Sequence, residues 1–337
     1  MAVQERTIRL AAGRQRETNL WIDALQRLVR NKAAMLGGSI IILLVFSAVF
    51  APVVAPYDYD EGDSADNYSI PPWLLPILPK GVVNYGTIST KFLLGADFLG
   101  RDLFSRLIYG TRISLSVGVT GALISLLIGL IWGSIAGYYG GRLDNLMMRI
   151  VDIVYAFPTL LFIILLMAFF RSTTTAIQPG DWRYPLVVLD TSMGGMFFIF
   201  VGIGITAWMT MSRLVRGQIL SLKEKEFIEA AHTIGARDLR IMFRHILPNI
   251  IGPCIVYETL TIPMYILYEA FLSFIGLGVN PPIPSWGMMI NEGVEAMRSY
   301  PHVTIFPGLL LSITIFAFNF LGDGLRDALD PRMRGTT

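Results

Sequence analysis

The sequence predicts an all-α integral membrane protein of six transmembrane helices, with a polar elbow between helices 4 and 5 and a long loop region between helices 1 and 2. Three observations predict it. Of 337 residues, 53% are hydrophobic and only 15% charged, with a mean hydropathy of +0.57, too apolar for an ordinary soluble domain. Six apolar runs are each long enough to cross a hydrocarbon core of about 30 Å at ~1.5 Å per helical residue. The basic residues fall unevenly between the segments joining those runs.

Residues 1–32 are expected to form a cytoplasmic N-terminal tail. The first twenty are polar and Arg-rich without apolar periodicity, so a disordered tail or a surface helix is expected there. The first span covers 33–54, within a segment 33–56. Ala48-Val49-Phe50-Ala51 has the small residues of a cleavage site, but the apolar run exceeds the roughly 7 to 15 residues of a signal core, so the span is read as uncleaved. Residues 57–112 form the extracytoplasmic loop, in which Asp97 is expected to cap a short interfacial helix over 98–109. Leu103, Phe104, Leu107 and Ile108 are its apolar side, opposite Arg101, Asp102 and Arg106.

A core of five spans is expected over 113–322. The second span, 113–138, carries Gly121, Ser125, Gly129, Gly133 and Gly137, a small residue at every fourth position. Such a ladder lets another helix approach closely, whether of this chain or of a second subunit. The third and fourth spans cover 153–170 and 193–211, and the elbow region 213–248. The fifth, 249–271, contains Glu258 and Glu269, and the sixth covers 303–321. The loop 276–302, with Pro281, Pro282, Pro284, Pro301 and Trp286, is expected at headgroup level, and 323–337 forms a second cytoplasmic tail.

Orientation follows from Lys and Arg. Seven precede Ala33, two are Arg142 and Arg149, seven lie within 213–244, and three follow Leu321. These exceed the eight on the opposite side, which puts both termini and the elbow in the cytoplasm. Asp58, Asp60, Glu61, Asp63 and Asp66 suit an external 57–112 loop.

The elbow is the most informative stretch. Helix formers run over 221–232, with Lys223, Glu224, Lys225 and Glu226 as a solvated turn and Phe227, Ile228 and Ala231 as an apolar patch. Gly235 suits a helix stop needing positive φ. In the helix that follows, Leu239, Met242, Phe243 and Ile246 share one face, and Arg237, Arg240 and Arg244 occupy the other, towards water and lipid headgroups. Pro248 marks a break or the first turn of the next element.

Catalytic motifs are missing from the sequence. No G-x-x-x-x-G-K-[ST] string occurs, so this chain is expected not to hydrolyse ATP. H-E-x-x-H and G-x-S-x-G are also absent, no catalytic residue is assigned, and no metal site is expected. Cys254 stands alone, and His232, His245 and His302 lie apart as helix-surface residues. An intramembrane carboxylate is costly unless paired or facing water. Glu258, with Tyr257, Tyr265 and Tyr268 nearby, is therefore either a group lining a translocation cavity or a hydrogen-bonded carboxyl that fixes packing.

Glu229-Ala230-Ala231, three residues, Gly235, nine residues and then His245-Ile246-Leu247-Pro248 resemble the EAA loop of membrane subunits of ATP-binding-cassette importers, with His245 where that pattern has Ile. Leu94-Gly95-Ala96-Asp97, Gly100-Arg101-Asp102-Leu103-Phe104-Ser105-Arg106, Gly110-Thr111-Arg112-Ile113-Ser114-Leu115, Glu269-Ala270-Phe271-Leu272-Ser273-Phe274-Ile275-Gly276-Leu277-Gly278 and Pro284-Ser285-Trp286-Gly287 resemble the dipeptide/oligopeptide/nickel branch, specifically its C-type permease subunit. The resemblance implies a subunit of the bacterial inner membrane with several partners: a second homologous permease, two nucleotide-binding ATPase subunits holding ATP and Mg2+, an extracytoplasmic solute-binding protein, and lipid, but no nucleic acid. No cofactor would be bound by this chain. It further implies that Glu226, Phe227, Glu229, Ala230, Ala231 and Gly235 couple to an ATPase, and that Asp97, Arg101, Asp102 and Trp286 belong to an outer gate or a receptor-docking surface. Peptide is the expected solute, nickel or another small solute the alternative, and a secondary transporter a more distant one.

Overall fold

The structure, a computed structural model, describes residues 20–78, 87–171 and 180–329. The expected features of the first nineteen residues and of the tail beyond Leu329 lie outside the described residues. Helix α1 (Leu20–Arg30) packs on the last helix, so the expected polar tail is already structured by Leu20. Asn31 then ends one helix and starts the next. Its side-chain oxygen accepts from the amides of Ala33 (3.1 Å) and Ala34 (3.2 Å), satisfying the first free N–H groups of α2 (Lys32–Val49). A single turn, α3 (Ala51–Val54), follows.

The second span differs from its expectation. No separate interfacial helix precedes it: Asp102, rather than Asp97, is the cap, accepting from the Ser105 amide at 2.8 Å. Helix α4 (Leu103–Tyr139) then runs unbroken for 37 residues, a length of about 55 Å against a core of about 30 Å. It is therefore longer than a straight crossing requires.

The third predicted span is two helices, α5 (Gly141–Tyr155) and α6 (Thr159–Arg171), bent by 71°. Pro158 explains the break, since it lacks an N–H and disfavours helical geometry at Phe157. Among the described residues, five helical segments can cross a membrane by length and composition, and six if the bent pair is one span. Helices α7 (Tyr184–Ser192) and α8 (Phe197–Lys223) follow. Then come α9 (Glu226–Thr233), α10 (Asp238–Ile241), a π turn at Met242–Ile246, and α11 (Leu247–Phe274) with Pro248 in its first turn. Helices α12 (Trp286–Val294) and α13 (Pro301–Leu329) complete the bundle, and α13 extends well past the expected end of the sixth span.

The small-residue ladder of α4 packs against α8 of the same chain, the most extensive helix pair in the molecule. A Cβ on Gly129 would lie 2.4 Å from Met211 Cγ, and one on Gly133 2.5 Å from the Ser212 carbonyl oxygen. One turn before Gly129, Ser125 Oγ comes within 3.1 Å of the Ala207 carbonyl oxygen. Gly133→Leu is expected to push the two helices apart and destabilise the fold by about 1–3 kcal/mol, because backbone rather than a flexible side chain must give way. A lowered thermal midpoint of the purified protein checks this.

Candidate functional site

Between α8 and α11 the chain makes a short reversal whose closure follows from its residues. Helix α8 stops at Lys223, and α9 begins at Glu226, so the helix expected over 221–232 is split at Glu224 and Lys225. At the far end of α9, Gly235 adopts φ +77°. Its amide donates to the His232 carbonyl (2.9 Å) and that of Ala236 to Ala231 (3.1 Å), the paired bonds of a Schellman stop. A residue with a Cβ disfavours that φ, as the sequence reading requires of Gly235.

Packing divides the elbow's residues into two sets. Ile228 and Ala231 are buried against Val215, Ile219, Ile241, Ile246 and Ile250, so α9 is part of the bundle's inner core. Glu226, Glu229 and Ala230 are exposed, Phe227 is 44% exposed, and Ile234 84%. The expected patch of Phe227, Ile228 and Ala231 is thus split, Phe227 pointing away from the other two. Ala231 meets the chain's own core and offers no surface to a partner. The next predicted face is also rearranged: Met242 and Ile246 are buried, but Leu239 and Phe243 are exposed and Ile241 takes their place. The π turn, with its extra residue per turn, shifts the i, i+3, i+4 register from Met242 onwards; Leu239 and Ile241 lie before it.

Polar contacts fasten the elbow to neighbouring helices. Tyr138 of α4 donates to Asp238 Oδ1 at 2.8 Å, and Lys223 Nζ donates to the Tyr138 carbonyl at 2.6 Å. Two turns further into α8, Arg216 grips Asp144 of α5 with two bonds of 2.5 and 2.6 Å. These bonds tie α10 to α4, α4 to α8 and α8 to α5.

A cavity of about 570 Å³ opens on the side of α11 that faces α5, α6 and α8. Tyr155, Tyr257, Tyr265 and Tyr268 line it with Thr159, Thr206, Thr210 and Thr261, and no charged side chain does. Tyr257 and Tyr265, which the sequence reading places on a possible pathway, both line this cavity. Glu258 is not among the lining residues. Buried, it accepts from Ser125 Oγ at 2.6 Å and lies 3.4 Å from the Tyr265 hydroxyl, which favours the packing role over the cavity role. Glu258→Gln keeps an acceptor for Ser125, so the thermal midpoint of the purified protein is expected to stay close to that of wild type, which thermal unfolding checks. Glu269 is also buried, held by Ser114 (2.9 Å) and Ser273 (2.6 Å).

On the opposite end, Asp97, Arg101, Asp102 and Trp286 are all buried. Asp97 does not cap a helix. Its Oδ1 accepts from the amides of Leu99 (2.8 Å) and Arg101 (3.0 Å), and its Oδ2 from Arg101 Nε (2.7 Å) and from Arg106 Nη1. Arg106 also bonds Glu292 of α12 at 2.7 Å. The arginines expected on an exposed face are thus interior, because a carboxylate on each side compensates their desolvation. Asp102 bonds both the amide and the hydroxyl of Ser105, while burial pushes its carboxyl above the usual range. Trp286 packs against Leu103, Leu107 and Ile266 with its indole N–H 3.3 Å from the Leu107 carbonyl. Burial removes these four residues from any receptor-docking surface. His302, expected in a loop, is buried at the start of α13. Glu292, Asp144 and Tyr138 escape sequence reasoning, since their partners lie far along the chain and no local pattern marks them.

Residues 125–335 match a family described as binding-protein-dependent transport system inner membrane component, and residues 19–72 match the N-terminal TM domain of oligopeptide transport permease C. The chain is 43% identical over 320 residues to the oligopeptide transport system permease protein OppC of Bacillus subtilis, covering 95% of this chain and 92% of that one. It is 41% identical over 313 residues to the dipeptide transport system permease protein DppC of the same organism, covering 93% and 86%. Among solved structures, the MetNI methionine ABC transporter in an inward-facing conformation matches with a TM-score of 0.53 at 20% identity, over 68% of this chain and 98% of that chain.

Proposed function

The chain belongs to the family of binding-protein-dependent transport system inner membrane components, and from that premise we propose that it is a permease subunit of an ATP-binding-cassette importer of di- or oligopeptides. It forms the translocation pathway with a second, related permease. Two nucleotide-binding subunits supply ATP and Mg2+, and an extracytoplasmic binding protein delivers the solute. Both termini and the elbow face the cytoplasm.

One observation carries this reading: α9 turns Glu226, Phe227, Glu229 and Ala230 outwards while Ile228 and Ala231 lock it into the bundle. Such an element transmits displacement instead of absorbing it. Membrane helices satisfy their own backbone groups and move as rigid bodies. When the ATPase subunits close around ATP and part after hydrolysis, α9 would carry α4, α5 and α8 with it and expose the tyrosine-lined cavity to each side in turn.

The cavity suits a peptide. Its hydroxyls offer neutral donors and acceptors to a peptide backbone, and without fixed charge it neither repels nor traps either end of a zwitterion. Uptake of labelled di- and oligopeptides into vesicles holding the four membrane-associated subunits and the binding protein, dependent on ATP inside, tests the proposal. Uptake that persists without ATPase subunits would overturn it.

A further inference from the structure

Leu239 and Phe243, each 67% exposed, stand on the elbow beside a groove of about 360 Å³. Leu127, Ile131 and Ile135 of α4 form its other wall. Along α4 the groove extends from Tyr139 to Leu127, about 18 Å of helix rise, slightly more than half a hydrocarbon core of about 30 Å. That is the reach of one acyl chain within a single leaflet.

Polar groups lie in the groove wall and on the elbow that borders it. Ser134 lines the groove nine-tenths buried, and its hydroxyl has no partner. Arg237, Arg240 and Arg244 are exposed on the same elbow and enter no ion pair among the described residues. Asp238, the one carboxylate among the lining residues, is engaged by the Tyr138 hydroxyl.

We propose that this groove binds one anionic phospholipid. An acyl chain lies along Leu127, Ile131 and Ile135, the Ser134 hydroxyl donates to an ester carbonyl, and the phosphate meets Arg240 and Arg244. Its assignment to the inner leaflet rests on the cytoplasmic elbow proposed above; binding itself does not. The bound lipid bridges α4 and the elbow, so membrane composition would bear on the stiffness of the lever.

Native mass spectrometry of the assembled, delipidated transporter titrated with phosphatidylglycerol or phosphatidylcholine tests this without ATP or peptide, so its outcome is independent of the transport reading. Wild type is expected to retain phosphatidylglycerol in preference to phosphatidylcholine. Arg240→Ala with Arg244→Ala should weaken phosphatidylglycerol about thirtyfold, the effect of two surface cations, and erase the preference. Ile131→Trp, filling the groove, should lose both lipids. Equal retention of both lipids by wild type and both variants would overturn the site. So would displacement by glycerol 3-phosphate alone, which would reveal a plain phosphate site, or cross-linking of a cysteine at Leu239 to a partner subunit, which would show protein in the groove.

Discussion

Gly235→Val is expected to lower ATP-driven uptake about five- to thirtyfold while the assembled transporter still hydrolyses ATP. Valine at φ +77° meets a steric penalty of about 1–2 kcal/mol, and its β-branching stiffens it further. The cheapest relief is a move to negative φ, which breaks the two bonds that close the helix and re-aims α9 against α10. A penalty of that size shifts the population of the correctly angled elbow by the stated factor. No neighbour lies within 4 Å of a Cβ at this position, so the effect is conformational and packing does not contribute. Gly235→Asn separates the two, because asparagine tolerates the left-handed region and should retain most uptake. Parallel measurement of uptake and phosphate release checks both variants, and wild-type uptake by the valine variant would remove the hinge from the mechanism.

Asp97→Ala should be the most damaging single change to stability, at about 3–5 kcal/mol, the range for removing one partner of a buried ion pair. It leaves the guanidiniums of Arg101 and Arg106 with Glu292 alone, and Glu292 lies 3.6 Å from Arg101. It also strips the Leu99 and Arg101 amides of their acceptor. Glu292→Gln should cost less, since Glu292 is 15% exposed and water compensates the loss. Thermal unfolding of the purified protein ranks the two, and an Asp97 variant as stable as Glu292→Gln would refute the network as the anchor of α4.

Within the elbow, legibility in sequence varies with the range of the cause. Gly235 was readable because a left-handed stop is a property of one residue and its immediate turn. The outward and inward sides of α9 were readable in part. The face of the following helix was not, and from Met242 onwards a single π turn changes the period on which the reading rests. The same distinction separates Asp102 from Asp97. The sequence reading gives the cap to Asp97 and puts Asp102 within the helix, and only the folded loop, with its two arginines, decides that Asp97 takes the network and Asp102 the cap.

By itself the sequence determined the medium, the helical class, the EAA-like segment and the small-residue ladder. These depend on composition and on spacings of a few residues, which survive without knowledge of the rest of the chain. Only the tertiary structure decided that the ladder meets α8, that Glu258 sits behind the cavity wall, that Pro158 bends the third span by 71°, and that Arg106 pairs with Glu292 across 186 residues. Such pairings are chosen by which surfaces fold together, and the desolvation cost of a charge has no local signature until its distant partner arrives.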